Sequence, residues 1–160
     1  MPRLLRYLVP TVLALVLAAC GQPRKSVFPP TLSVQQLAVQ PNGTWRLTLR
    51  IQNNSYGGMD FTTLDGQLQI AELVPLRLHT AFERDIPAFA SDVVPLDVVP
   101  TPEMAKALAA IASKGSAGSL AYRIDGTTLA KPEQEKKPRD FHFSGHDWLS
   151  PVPGIANTYR

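Results

Sequence analysis

From Thr31 onward, apolar residues recur at every second position over much of the chain. The clearest run is Trp45, Leu47, Leu49 and Ile51, interleaved with Arg46, Thr48, Arg50 and Gln52. That alternation is the pattern of a strand with one face buried and the other wet. Leu32, Val34 and Leu37 open a first strand before it. Between the two lies Pro41-Asn42-Gly43-Thr44, and Asn-Gly supplies the positive φ angles of a tight hairpin turn, so the pair is expected to be antiparallel. Leu64, Leu68 and Ile70 mark a third strand, Leu76 and Leu78 a shorter fourth, and Val94, Leu96 and Val98 a fifth. Pro95 has no N–H to give to a ladder, which assigns the fifth strand to an edge or a bulge. Leu120, Tyr122 and Ile124 predict a sixth strand, and Phe141 and Phe143 a seventh.

One segment has a different period. Met104, Ala107, Leu108 and Ile111 stand at i, i+3, i+4 and i+7 and make one apolar helical stripe. Thr101 is placed to cap it, Pro102 suits the first helical position, and Glu103 faces the positive end of the dipole. Gly115, just beyond, fits a left-handed terminus. Together these elements predict an all-β fold, a seven-stranded antiparallel β-sandwich with one short helix (about 102–114) between strands five and six.

The first residues, MPRLLRYLVPTVLALVLAAC, follow another logic. Arg3 and Arg6 precede an apolar run from Leu8 to Leu17, and the small residues Ala18 and Ala19 follow. This is the layout of a secretory signal, too short for a comfortable membrane span. Cys20, the single cysteine of the chain, comes next, and Leu17-Ala18-Ala19-Cys20 resembles the lipobox of bacterial lipoproteins. The resemblance implies cleavage between Ala19 and Cys20 and acylation of Cys20. One acyl chain anchors a protein only marginally, whereas two or more hold it firmly. Gly21, where inner-membrane lipoproteins carry Asp, points to the outer membrane, facing the periplasm. The expected organisation is a signal peptide over 1–19, acylated Cys20 and a Pro-rich tether over 20–30, a domain over 31–149, and a C-terminal tail over 150–160.

Composition narrows the function classes. A lone cysteine excludes both a disulfide within the chain and a cysteine metal cluster. The formal charge of +3 loses its weight once Arg3 and Arg6 are assigned to the signal, since fourteen basic side chains then face thirteen acidic ones. Such a balance gives no footprint for a nucleic acid.

The ordered blocks resemble a known family. Trp45–Asn53, Leu64-Asp65-Gly66-Gln67-Leu68, Ile86-Pro87-Ala88 before Val93–Val99, the helix, and Leu120–Gly126 are similar, in that order, to late embryogenesis abundant type 2 proteins, also called the water stress and hypersensitive response (WHy) domain. The resemblance covers roughly residues 31–150. It implies an immunoglobulin or fibronectin type III-like sandwich, a role in stress tolerance or in the bacterial envelope, and no catalytic residues. Asn53-Asn54-Ser55 departs from the Asn-Pro-Asn or Asn-Pro-Tyr common in the family after strand two.

Candidate chemistry is sparse. His142 and His146, beside Asp147, have the i, i+4 spacing that converges on a metal from a helix. Here they fall on a strand ending in a turn at Ser144-Gly145-His146, so exposed positions are expected and no metal site. His79 stands opposite the apolar positions of its strand. Gly115-Ser116-Ala117-Gly118 is one residue short of a nucleophile elbow, and no phosphate loop joins a strand to a helix. Asn42-Gly43-Thr44 and Asn53-Asn54-Ser55 match glycosylation sequons but read as turns, and Lys131–Arg139 reads as a solvated charged loop. Trp148 is expected either to cap one end of the sandwich or to stand exposed.

The expectation is a non-enzymatic, lipid-anchored periplasmic protein without cofactor, nucleic-acid partner or small-molecule substrate. It would meet the membrane through Cys20 and bind protein clients or an envelope partner. An accessory role at one envelope complex, or carriage of a small apolar ligand, are the alternatives.

Overall fold

The computed structural model describes residues 23–160. Ala19 and Cys20 lie outside the described residues. The strands are β1 (Thr31–Val39), β2 (Trp45–Gln52), β3 (Met59–Ile70), β4 (Leu76–Ile86), β5 (Ser91–Val98), β6 (Leu120–Pro132), β7 (Arg139–Leu149) and β8 (Thr158–Tyr159). Helix α1 (Pro102–Ala112) joins β5 to β6. The strands form two antiparallel four-stranded sheets, ordered β5-β2-β1-β8 and β4-β3-β6-β7.

Alternation sets the faces. Trp45, Leu47, Leu49 and Ile51 are all buried, while Arg46, Arg50 and Gln52 between them are exposed. From the other sheet Phe61, Leu64, Leu68, Ile70, Ile124, Phe141 and Phe143 complete the core. At about 25 cal/mol per Å² of apolar area removed from water, this shared layer is the main stabilising term. The β1–β2 hairpin is antiparallel as expected, but of the Asn42-Gly43 pair only Gly43 takes a positive φ, 84°. Pro95 is exposed on β5, which is an edge strand, again as expected.

In α1, Thr101 accepts a hydrogen bond from the Met104 N–H at 3.2 Å, and Met104, Leu108 and Ile111 are buried. The helix ends at Ala112, two residues before the expected limit.

The expected strand count is corrected from seven to eight. The added strand comes from the segment expected as a tail: Thr158 and Tyr159 are buried and pair with Ala38 and Leu37 of β1. Chain reversal there uses Asn157 at φ 57° and Gly154 at φ 78°. The expected turn at Ser144-Gly145-His146 is also absent, because β7 continues through Leu149 opposite β6. The tether is shorter than expected, since Lys25 to Thr31 are hydrogen-bonded to the sandwich.

Both ends of the sandwich follow from this order. One carries the entry to β1 and the loops 53–58, 87–90 and 133–138. The opposite end carries the β1–β2 hairpin, the β3–β4 turn, α1 and the β7–β8 connection.

Candidate functional site

At the entry end the buried side chain of Asn53 organises the loop that follows β2. Its Nδ2 donates to the carbonyls of Gly57 at 2.8 Å, Ile86 at 2.9 Å and Pro87 at 3.1 Å, and its Oδ1 accepts from the Ser55 N–H at 2.8 Å. One amide thereby fixes the 53–58 loop against the β4–β5 turn. Asn54 and Ser55 face the incoming chain. Asn54 Nδ2 donates to the Pro29 carbonyl and to Thr31 Oγ1, at 2.9 and 2.8 Å. Ser55 Oγ accepts from the Phe28 N–H at 2.9 Å and donates to the Phe28 carbonyl at 3.1 Å. The Tyr56 N–H donates to the Ser26 carbonyl at 3.0 Å.

Further out, Lys25 forms an ion pair with Glu133, whose other oxygen accepts the Gly58 N–H at 2.7 Å. The Lys25 bond and then the Gly58 bond hold the Glu133 carboxyl below its ordinary range. The Lys25 N–H donates to Gln134 Oε1 at 2.8 Å. Asn53-Asn54-Ser55, expected as turn chemistry, thus joins its own loop to the β4–β5 turn and to the N-terminal segment.

Three aromatic rings crown this end. Tyr56 lies edge-on to Phe89, with centroids 4.9 Å apart and planes at 80°, and Phe28 lies 6.3 Å from Tyr56 at 49°. They stay largely open, at 46% exposure for Phe28, 59% for Tyr56 and 58% for Phe89. Phe89 sits at φ 59°, a left-handed conformation that is an outlier for a bulky side chain. Strain of this kind, about 1–3 kcal/mol, persists where the surroundings over-determine it and gathers at functional positions. None of the three belongs to an alternating run. Aromatics embedded in turn sequences, Tyr56-Gly57-Gly58 and Pro87-Ala88-Phe89, were the available signal.

The sequence-predicted candidates do not converge. His142 and His146 are both exposed on β7, four strand residues apart, roughly 13 Å of rise. Among the described residues no group of three His, Cys, Asp or Glu is placed to hold a metal. His79 Nδ1 lies 2.6 Å from Asp65 Oδ1, with Arg77 3.8 Å from the same oxygen, on the outer face of β3 and β4. Trp148 is 60% exposed at the opposite end and caps nothing. Lys131 belongs to β6 and pairs with Asp60 at 2.8 Å, and Arg139 pairs with Glu135 at 3.1 Å while stacking on Phe141.

The outer face of β3, β6 and β7 holds an open depression of about 460 Å³ lined by Gln69, Ala71, Glu72, Ala121, Arg123 and His146, among others. Its rim is unusual, because Ala71 and Glu72 both have positive φ, 47° and 59°.

No family model matches the chain, and no curated protein matches it. Solved structures of similar shape include a structural-genomics target at 14% identity, covering 81% of this chain and 92% of its own, with a TM-score of 0.48. An Arabidopsis thaliana protein solved in solution has 10% identity, covers 87% of this chain and 88% of its own, and scores 0.47. The putative ApaA protein of Bordetella pertussis has 13% identity, covers 81% and 100%, and scores 0.45. Likeness at this level leaves function to the chain's own residues.

Proposed function

We propose that this chain is a lipid-anchored, non-enzymatic β-sandwich protein of the bacterial periplasm, held at the outer membrane through acylated Cys20 and acting by binding. Within that class we assign it to the late embryogenesis abundant type 2 (WHy) kind, protecting proteins or the envelope under desiccation or other stress. The observation that carries the reading is the position of Cys20 relative to the docked segment. Lys25 follows it by five residues, at most about 18 Å of chain, and from Lys25 onward the backbone is bound to the entry end. An acyl anchor at Cys20 would therefore set which end of the sandwich faces the bilayer and leave the edges and far end free for clients.

Block order supports the family assignment: Trp45–Asn53 covers β2, Leu64–Leu68 lies in β3, Val93–Val98 in β5 and Leu120–Gly126 in β6. The strand order supports a fibronectin type III-like variant, since β4 pairs with β3 and not with β5 as the fourth strand of a constant immunoglobulin domain does.

Two measurements test the reading. Cys20→Ser should move the protein from the membrane to the soluble fraction of cells, and unchanged fractionation would sink the anchor. Full-length protein dried or heated with a labile enzyme should raise recovered activity above an equal mass of inert protein in the same detergent. Equal recovery would remove the protectant role.

A second reading, docking to one envelope complex, is favoured by the exposed apolar side chains of Val74, Val99, Trp148 and Ile155 at the end opposite the anchor. Crosslinking from that end in intact cells separates the two, one discrete partner against many clients.

A further inference from the structure

The aromatic trio has no role in the reading above, yet it occupies the end from which the chain runs to Cys20. We propose that Phe28, Tyr56 and Phe89 form a bilayer-contacting surface that docks the entry end of the sandwich on the lipid headgroup layer. The inference rests on the anchor reading, because the acyl chains supply the proximity.

Three observations carry it. The first is reach. Phe28 follows Cys20 by eight residues, at most about 29 Å, and its backbone is bound to Ser55, so a lipid-held Cys20 keeps this end close to the membrane. The second is chemistry. Aromatic side chains are favoured at the membrane–water boundary, where an apolar ring and a polar tip meet matching surroundings, and three touching rings present a continuous apolar tip.

The third is charge at the same end. The Lys25–Glu133, Lys131–Asp60, Arg139–Glu135 and Arg84–Asp92 pairs neutralise one another. Arg24, Lys136 and Lys137 have no carboxylate partner among the described residues, and Glu83, Asp85 and Asp140 are in no ion pair on the acidic side. The charges at this end therefore balance, so no net repulsion from anionic lipid opposes the rings. Phe89 adds the cost argument. Glycine would take its left-handed position without strain, so a phenyl group there trades stability for a ring at the tip.

The test uses full-length protein in vesicles of phosphatidylethanolamine and phosphatidylglycerol whose acyl chains carry bromine near the headgroup. Phe89→Trp places a fluorophore in the trio, while the buried Trp45 and the far-end Trp148 serve as built-in references. Phe89→Trp emission should be quenched by the brominated lipid, with little dependence on salt, while parent emission is little changed. An unquenched probe at saturating lipid overturns the docking. So does a lipid-insensitive probe in a chain that self-associates with concentration, which would assign the rings to a second copy. Adding Phe89→Gly to a Tyr56→Trp chain should cut quenching several-fold while thermal stability stays level or rises. If quenching is retained, the proposal fails without any appeal to misfolding. The intact mass of the same preparation reads acylation of Cys20 separately. Missing acyl mass overturns the anchor reading, and the quenching still decides the docking.

Discussion

The backbone N–H of Val34 on β1 donates to the hydroxyl oxygen of Tyr122 on β6, at 3.0 Å, and so links the two sheets through the interior. The donor is left over by local geometry. A bulge between Val34 and Gln36 interrupts the β1–β2 ladder, and β8 reaches only Leu37 and Ala38 along the other edge of β1. A buried N–H without a partner is costly, and a tyrosine from the facing sheet supplies one.

Tyr122→Phe should therefore destabilise the fold by about 1–3 kcal/mol, the cost of leaving a buried amide unsatisfied. Denaturant unfolding with an unchanged slope would check it. Burial pushes the Tyr122 hydroxyl above its ordinary value, with the bond from Val34 opposing and the Asp147 charge adding. The folded chain thus holds its proton to higher pH than the unfolded chain does. This contribution is complete below the ordinary tyrosine value of about 10 and is lost as pH rises through the folded one. Tyr122→Phe should flatten that alkaline decline in part, since Tyr159 is shifted the same way by burial.

Asn53 predicts an unusual ranking of substitutions. Its amide nitrogen meets three carbonyl oxygens in a fully buried position. Asn53→Ala removes the donor and should cost about 2–3 kcal/mol. Asn53→Asp keeps the shape but sets a carboxylate against those carbonyls, so it should be worse than alanine at neutral pH and recover partly in acid. Thermal unfolding of both variants at two pH values checks the order.

How legible this fold was depended on whether each strand kept both its parity and its apolar character. β2 kept both and was readable end to end. β3 was readable only from Leu64 because a bulge at Thr62 changes parity: Met59 and Phe61 point inward at odd positions, Leu64 and Leu68 at even ones. The far half of β6 points Gly126, Thr128, Ala130 and Pro132 inward, and β7 places Gly145 there, so the hydrophobic signal fades while the ladder continues. β8 is two residues long and is held by tertiary contact with β1. The entry-end site was less visible still. Asn53 and Ser55 read as turn formers in the sequence, and only the β4–β5 turn and the N-terminal segment brought against them reveal a junction.

The Lys25–Glu133 contact predicts acid sensitivity confined to one segment. Glu133 is held below the ordinary carboxylate range by Lys25 and by the Gly58 N–H. Its contribution is present above the unfolded value of about 4.3 and is lost as pH falls through the lower folded value. Amide exchange at Lys25, Tyr56 and Gly58 should accelerate in that acid window before the core opens. Glu133→Gln should remove the pH dependence at these amides, and equal acceleration in both proteins would sink the assignment.

At Gly145 the two sheets approach closely. A Cβ built on it would lie 2.3 Å from the Leu32 carbonyl oxygen and 3.2 Å from Ile124 Cγ2. Backbone from β1 and β7 approach each other there, and neither can retreat without opening the core. Gly145→Ala should cost about 2 kcal/mol or more by overpacking. By contrast, Gly43→Asn in the open β1–β2 turn, where a Cβ meets nothing within 4 Å, should cost less, about 1 kcal/mol, from its left-handed φ of 84° alone. Paired thermal melts would decide it.

The β3–β4 turn offers the opposite case, a change that should stabilise. Ala71 and Glu72 both occupy left-handed backbone, φ 47° and 59°, and the Leu73 N–H closes the turn on the Ile70 carbonyl at 2.9 Å. Two consecutive positive φ angles are the geometry that Asn-Gly adopts readily, and left-handed backbone costs an ordinary residue about 1–2 kcal/mol. Both side chains are exposed, so little packing is at stake in replacing them. Ala71→Asn with Glu72→Gly should raise stability by about 1 kcal/mol, read as a higher melting temperature. The turn also rims the open depression beside Arg123 and His146, and strain of this kind gathers at functional positions. A stabilised variant that protects clients or docks to its partner less well would place the far side of the β4-β3-β6-β7 sheet in function. A stabilised variant of unchanged activity would make the turn simply unoptimised.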